Sequence, residues 1–269
     1  MKSLRGRRRL TDAMPAVRIL SRLDIKGPNV VKGIHLEGLR VVGQPGEMAR
    51  RYYDQGIDEI IYMDIVASLY GRNNILSVVE EAARDIFVPL TVGGGIRSIE
   101  DITTALRSGA DKVAINTAAI AQPDFIDAAS NTFGSQCIVL SVEAKRWPDR
   151  DGWEALTDNG REKTGADAVE WAAEAERRGA GEILVTSVDR EGTTRGLDLE
   201  LLDAIHRRVR VPVIASGGVG EPGHVTDAID RGCVDAVACA HVFQYDICPI
   251  PDFKAAIAAA GAEVRPCAA

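Results

Sequence analysis

Two carboxylates stand where apolar runs stop. Asp24 closes the run that starts at Val17, and Glu143 closes the run that starts at Cys137. Acids held at the ends of strands can divide the work of proton donor and proton acceptor if their surroundings separate their ionisation. The plainer alternative is pairing with adjacent cations, Lys26 for the first and Lys145 or Arg146 for the second, which would only shape a rim. Two glycine turns carry a different chemistry. Gly93-Gly94-Gly95 follows Leu90-Thr91-Val92, and Gly217-Gly218 follows Pro212-Val213-Ile214-Ala215-Ser216. Such turns let backbone N–H groups approach an anion, with a helix N-terminus behind them. Asn116-Thr117 ends the strand beside the first turn, and Ala240-His241 ends the strand beside the second. Two anion sites facing each other would suit a long ligand with a phosphate at each end. Glycines required only by tight turns remain the alternative. Arg18, Glu59, Lys112 and Glu182 form a third group, each opening an apolar run, with signs that alternate. They could form a ring of ion pairs, but as bare sequence they read more simply as solvated charges at strand starts.

The elements that position these residues come twice. Asp58-Glu59-Ile60-Ile61 resembles Gly181-Glu182-Ile183-Leu184, and each glycine turn is followed by a similar strand (Lys112–Asn116 and Ala236–Ala240) at an offset of about 120 residues. Strands are expected at Val17–Asp24, Glu59–Asp64, Pro89–Gly93, Lys112–Asn116, Cys137–Glu143, Glu182–Ser187, Val211–Ser216 and Ala236–Ala240. They are short β-branched runs without polar alternation, as in parallel strands covered on both faces. Helical patterns lie between them, near 46–56, 74–86, 98–109, 122–133, 165–179, 198–208, 221–232 and 252–261. This alternation in two similar halves predicts a (β/α)₈ TIM barrel of the phosphate-binding type, built from two half-barrels. An open doubly wound sheet would instead place one glycine turn after its first strand. In a barrel the strand-end residues Asp24 and Glu143, on the first and fifth strands, face each other across the mouth.

Composition narrows the class. The net charge of −7 argues against a nucleic-acid binder but not against a phosphate ligand, which needs only a local field. Five cysteines without CxxC spacing read as reduced thiols of a cytoplasmic protein, Cys137 and Cys239 being placed inside strands. His35, His206 and His224 lack metal-ligand spacing, so no metal site is expected. The Arg-rich start has no apolar core of a secretory signal, and no apolar run is long enough to span a membrane. Residues 1–13 read as a disordered extension or an upstream start, 14–263 as one barrel domain and 264–269 as a tail.

From Met14 to Tyr245 the chain resembles the HisF family, the cyclase subunit of imidazole glycerol phosphate synthase. The resemblance rests on Leu23-Asp24-Ile25-Lys26, Val30-Val31-Lys32-Gly33, Thr91–Arg97, Gly109–Val113, Ile115-Asn116-Thr117, Phe133–Gln136, Gly179–Leu184 and Ala215–Gly218. It implies a lyase of histidine biosynthesis that uses no cofactor. Its substrate would be a ribulosyl-formimino aminoimidazole carboxamide nucleotide carrying two phosphates. Ammonia attacks it, a C–N bond breaks and an imidazole ring closes, giving imidazole glycerol phosphate and an aminoimidazole carboxamide ribotide. The catalytic positions fall on Asp24 and Glu143, as general acid and base. One phosphate would lie on Gly95, Asn116 and Thr117. The other would lie on Gly192, Gly218 and the start of the last helix, where His241 stands.

The resemblance also implies a heterodimer with a glutaminase docked on the barrel's base. Arg18, Glu59, Lys112 and Glu182 would then gate an ammonia channel, and Asp111 would touch the glutaminase. The chain departs from the family at the mouth. Glu143 and Glu191 replace aspartates, His241 replaces a serine, and His35-Leu36 replaces Asn-Phe. The extra methylene of Glu143 shifts its oxygens by about 1 Å, a displacement that can cost about 100-fold in rate. These changes keep a second reading open, an ammonia-channelling HisF-like partner of a sugar amidotransferase for surface polysaccharide. A sister isomerase of the same pathway fits less well. It would carry an aspartate in place of Glu143 and has no use for the ring.

Overall fold

Apolar strands without polar alternation must be covered on both faces, and the chain achieves this by closing its sheet. The computed structural model describes residues 16–67 and 75–267. Its strands are β1 (Arg18–Lys26), β2 (Asn29–Ile34), β3 (Glu37–Gly43), β4 (Glu59–Asp64), β5 (Leu90–Gly93), β6 (Lys112–Ile115), β7 (Ile138–Arg146), β8 (Trp153–Thr157), β9 (Glu162–Asp167), β10 (Glu182–Ser187), β11 (Val213–Ser216) and β12 (Ala236–Cys239). Eight of them pair in parallel in the cyclic order β1, β4, β5, β6, β7, β10, β11, β12 and back to β1. This is a (β/α)₈ barrel. Helices α1 (Pro45–Asp54), α2 (Leu76–Asp85), α3 (Ile99–Arg107), α4 (Thr117–Ala121), α5 (Asp124–Phe133), α6 (Ala168–Arg177), α7 (Leu199–His206), α8 (Gly223–Arg231), α9 (His241–Gln244) and α10 (Ile250–Ala259) accompany the strands.

The two-residue period of a strand sorts side chains between two cores. Along β1, Ile19 and Leu23 join the layer between strands and helices, whereas Leu20 joins a separate cluster with Ile61, Val139, Leu184 and Ile214 inside the barrel. Arg22 and Asp24 share the inward face with Leu20, and both are buried. Helix starts are anchored by side chains. Ser98 and Asp101 form a reciprocal capping box on α3, while Asp167 and Asp198 cap α6 and α7. Each cap contributes about 1 kcal/mol.

The base has its own staples. Asp58, Asp111 and Asp235 each stand before a strand and accept the backbone N–H of Ile19, Leu90 and Val213 respectively, at 2.7, 2.8 and 2.9 Å. Lys254 from α10 pairs with Asp58 at 2.6 Å, both side chains buried.

Two hairpins were not expected from the sequence. β2 and β3 extend β1 antiparallel, and β8 and β9 extend β7 antiparallel. Both rise from the mouth, where insertions are structurally cheap and carry function. The short helices α4 and α9 were also missed. Cys137 lies in a 3₁₀ turn before β7 rather than inside the strand, and all five cysteines are free thiols. The expected extension 1–13 lies outside the described residues. Val264, in the expected tail, bridges Val17 beside β1. No described helix is long and apolar enough to cross a membrane.

Candidate active site

Parallel strands end at the mouth, and their last inward-facing side chains meet there. Glu143, near the end of β7, is buried, and its Oε2 accepts the Gly160 N–H at 2.8 Å and the Asn116 Nδ2 at 3.1 Å. Burial pushes its acid up to about 7, against the pull of the Arg22 charge and the Gly160 N–H. Glu143 therefore exchanges protons near neutral pH, as a general acid or base must. Asp24, on β1, accepts Arg22 Nε on its Oδ1 at 2.8 Å. The alternative of pairing with Lys26, Lys145 or Arg146 does not hold among the described residues. Asp24 takes a cation from its own strand, and Arg146 pairs with Glu200 instead.

The first glycine turn opens on a cavity of about 280 Å³ that also receives Arg97, Asn116, Thr117 and Glu143. Gly95 has φ +73, and a Cβ there would meet the Ala67 Cβ at 2.7 Å. The turn packs tightly on the β4 end, where Asp64 accepts the N–H groups of Val66 and Ala67 at 3.0 Å. Asn116 spends its amide N–H on Glu143 and the Leu156 carbonyl, so it holds the acid in place as much as it faces the cavity. Thr117 accepts the Asp158 N–H at 3.2 Å. Arg97, which donates to the Ala67 carbonyl at 2.6 Å, adds a cation to this cavity that was quoted within a motif but not singled out from sequence.

The second glycine turn is different. Gly192, Gly218 and His241 come together as expected, with Lys32, Glu191 and Ser216, but enclose only about 10 Å³. Lys32 pairs with Glu191, both nearly fully buried. Burial pulls the Lys32 ammonium down to about 8, with the Arg22 charge adding to the fall against Asp24. A Cβ on Gly218 would collide with the Gly196 carbonyl oxygen, and one on Gly192 would lie 2.5 Å from the Gly33 oxygen. Here the tight-turn alternative describes the glycines well. His241 packs against Tyr245 at 4.5 Å between ring centroids, and its pKa is lowered by burial and then by Lys32.

A lid covers this side. His35 and Leu36 sit at the β2–β3 tip with φ 51 and 64, a left-handed pair without glycine, which stores strain. The His35 N–H donates to the Glu191 carbonyl at 2.9 Å, and Leu36 packs with Leu156 and Val188. The residues that depart from Asn-Phe thus pin the first hairpin onto the loop after β10.

At the base the alternating charges close a ring. Arg18 meets Glu59 at 2.5 Å and Glu182 at 2.9 Å. Lys112 meets the same two carboxylates at 3.1 and 2.8 Å. The simpler expectation of separately solvated charges is corrected. Barrel closure brings four sequence-distant strand starts to one axis. Asp111 is exposed nearby, with one carboxylate oxygen occupied by the Leu90 N–H. Sequence reasoning also passed over Arg22 and met Lys32 only within a motif, although the period of β1 places Arg22 on the face of Asp24.

The model of the family described as "Histidine biosynthesis protein" matches residues 18–248. A protein of Legionella pneumophila named "Imidazole glycerol phosphate synthase subunit HisF" is 60% identical over 208 residues, covering 77% of this chain and 98% of that relative. A barrel with this mouth and this base, matched over most of its length, belongs to the histidine biosynthesis protein family and, within it, to the HisF family.

Proposed function

We propose that the chain is the cyclase subunit of a cytoplasmic imidazole glycerol phosphate synthase, a lyase working with a glutaminase in a heterodimer. Ammonia enters at the base and reacts at the mouth with the ribulosyl-formimino aminoimidazole carboxamide nucleotide. The C–N bond to the aminoimidazole carboxamide ribotide breaks as the imidazole ring closes. The observation that carries the reading is the stacking of two features on one barrel axis: a closed charge ring at the base and an acid pair at the mouth.

Glu143, with its acid near 7, can give or take a proton at neutral pH, and Asp24 supplies the opposing carboxylate. Gly95, Thr117 and Arg97 would hold one phosphate at the open cavity. Gly192, Gly218 and His241 would hold the other once the Lys32–Glu191 pair and the lid shift. On the base, Phe87 is 77% exposed in the loop entering β5. With Asp111 and the ring it offers an aromatic anchor and charges to a partner subunit.

One observation favours a second reading, an ammonia-channelling partner of a sugar amidotransferase. The second glycine turn encloses only about 10 Å³ and its Lys32 is already paired with the buried Glu191, so as it stands it offers no place to a second phosphate. Turnover of the purified chain on the nucleotide with excess ammonium salt, followed by release of the carboxamide ribotide, separates the two. The cyclase reading expects turnover that falls by about 100-fold or more in Asp24→Asn. No turnover in the parent, with activity appearing in Glu143→Asp, would put the second reading first.

A further inference from the structure

The inward face of β1 carries Arg18, Leu20, Arg22 and Asp24 in order from base to mouth. Leu20 belongs to the apolar layer inside the barrel, between the charge ring and the acid pair. Arg22 stands just above that layer and is among the largest fully buried side chains of the molecule. Its reach is unusual. β1 pairs with β4 and β12, and β10 pairs with β7 and β11, so β1 and β10 are separated by two strands on the shorter way round. Yet Arg22 Nη1 donates to Thr186 Oγ1 on β10 at 2.8 Å while its Nε holds Asp24 at 2.8 Å. The guanidinium therefore crosses the barrel interior.

This arrangement is a poor way to fill space. A buried cation is costly unless every donor is satisfied, and an apolar side chain of similar size would pack there without that cost. Arg22 Nη2 is buried without a partner among the described residues. Stability does not account for a guanidinium in this position, whereas its place between ring and acid pair suggests work there.

The geometry points to Arg22 as an inner stop of the lumen, a strut between Asp24 and Thr186 that ammonia rising from the base has to pass. The inference rests on the reading that ammonia enters through the ring. The strut shares Asp24 with the reaction, so its release is tied to the acid that meets the substrate. The Arg22–Thr186 contact then sets how much nitrogen from below reaches the mouth.

Competition between two nitrogen sources tests this. The complex with the glutaminase is given amide-¹⁵N glutamine and unlabelled ammonium, and the label in imidazole glycerol phosphate is read by mass spectrometry. The ammonium concentration is set so that the parent draws equally on both. Thr186→Val keeps the shape and the Arg22–Asp24 pair but removes the far anchor. The ratio of labelled to unlabelled product should rise about 10-fold, the scale of one hydrogen bond to a charged group. Arg22→Met should move it the same way and further. If Arg22→Met fails to fold, Thr186→Val decides alone. Because the ratio reports partition rather than rate, a slow chemical step cannot mask the change. A ratio that stays level or falls in Thr186→Val overturns the inference while leaving the function intact. Absence of label in parent product overturns both.

Discussion

Replacing Glu143 by glutamine should stabilise the fold at alkaline pH while abolishing turnover. The side chains are nearly isosteric, and the amide oxygen can still accept from Gly160 and Asn116, as Oε2 does at 2.8 and 3.1 Å. What changes is charge. Burial raises the acid from 4.5, its ordinary value, to about 7. A carboxyl whose folded pKa is raised contributes fully below the unfolded value and loses that contribution as pH rises through the folded value. The difference between about 7 and 4.5 corresponds to about 3 kcal/mol, at 1.36 kcal/mol per tenfold. Glutamine carries no such penalty. The stability difference between Glu143→Gln and the parent should be near zero at pH 4, grow between pH 4.5 and 7, and level off at about 3 kcal/mol by pH 8.5. Urea unfolding of both proteins across this range measures it, because other titrating groups cancel in the difference. A difference that does not vary with pH would refute the reasoning, as would a variant less stable than the parent at pH 8.5. Stability gained by removing a functional charge is the trade expected at an active site.

Other outcomes follow from the same geometry. Lys254→Met strands the Asp58 carboxylate, both partners now being buried in a pair at 2.6 Å, and should lower unfolding free energy by about 3–5 kcal/mol in urea titrations. Gly95→Ala forces a Cβ against Ala67 at φ +73, so KM for the nucleotide should rise by about 10-fold or more as the anion turn opens. Glu191→Gln leaves the Lys32 cation against a neutral amide. Since burial already pulls Lys32 down to about 8, the variant should be less stable than the parent below that pH and approach it above, which melting at pH 6.5 and 9 would reveal.

The barrel was legible because its strands are buried on both faces and read as unbroken apolar runs such as Ile60–Met63. The two hairpins were less visible for a physical reason. β2 and β3 are short, glycine-bearing and partly exposed, so neither period nor apolar content distinguishes them from loop. Asp158-Asn159-Gly160 between β8 and β9 did carry a hairpin signal in its Asn-Gly step. The site divides similarly. Asp24 and Glu143 could be found because they close apolar runs, although the strands continue to Lys26 and Arg146, and Arg22 could have been found by counting back two residues from Asp24. Closure of the ring could not be read from alternating signs, since it depends on strands brought together only when the barrel shuts. Nor could glycine pattern tell the open turn at Gly95 from the tight one at Gly218. That depends on whether a neighbouring chain, here the Gly196 carbonyl, occupies the space a Cβ would take.

The central claim is directional: nitrogen enters through the ring and reacts at the acid pair. It is tested most directly by comparing glutamine-fed with ammonium-fed turnover in the complex, for the parent and for Lys112→Met. That substitution opens two of the four ring contacts, at 3.1 and 2.8 Å, far from the mouth. The account predicts that the two activities separate, with glutamine-fed turnover changed and ammonium-fed turnover following the parent. Equal change in both, or none in either, would contradict it.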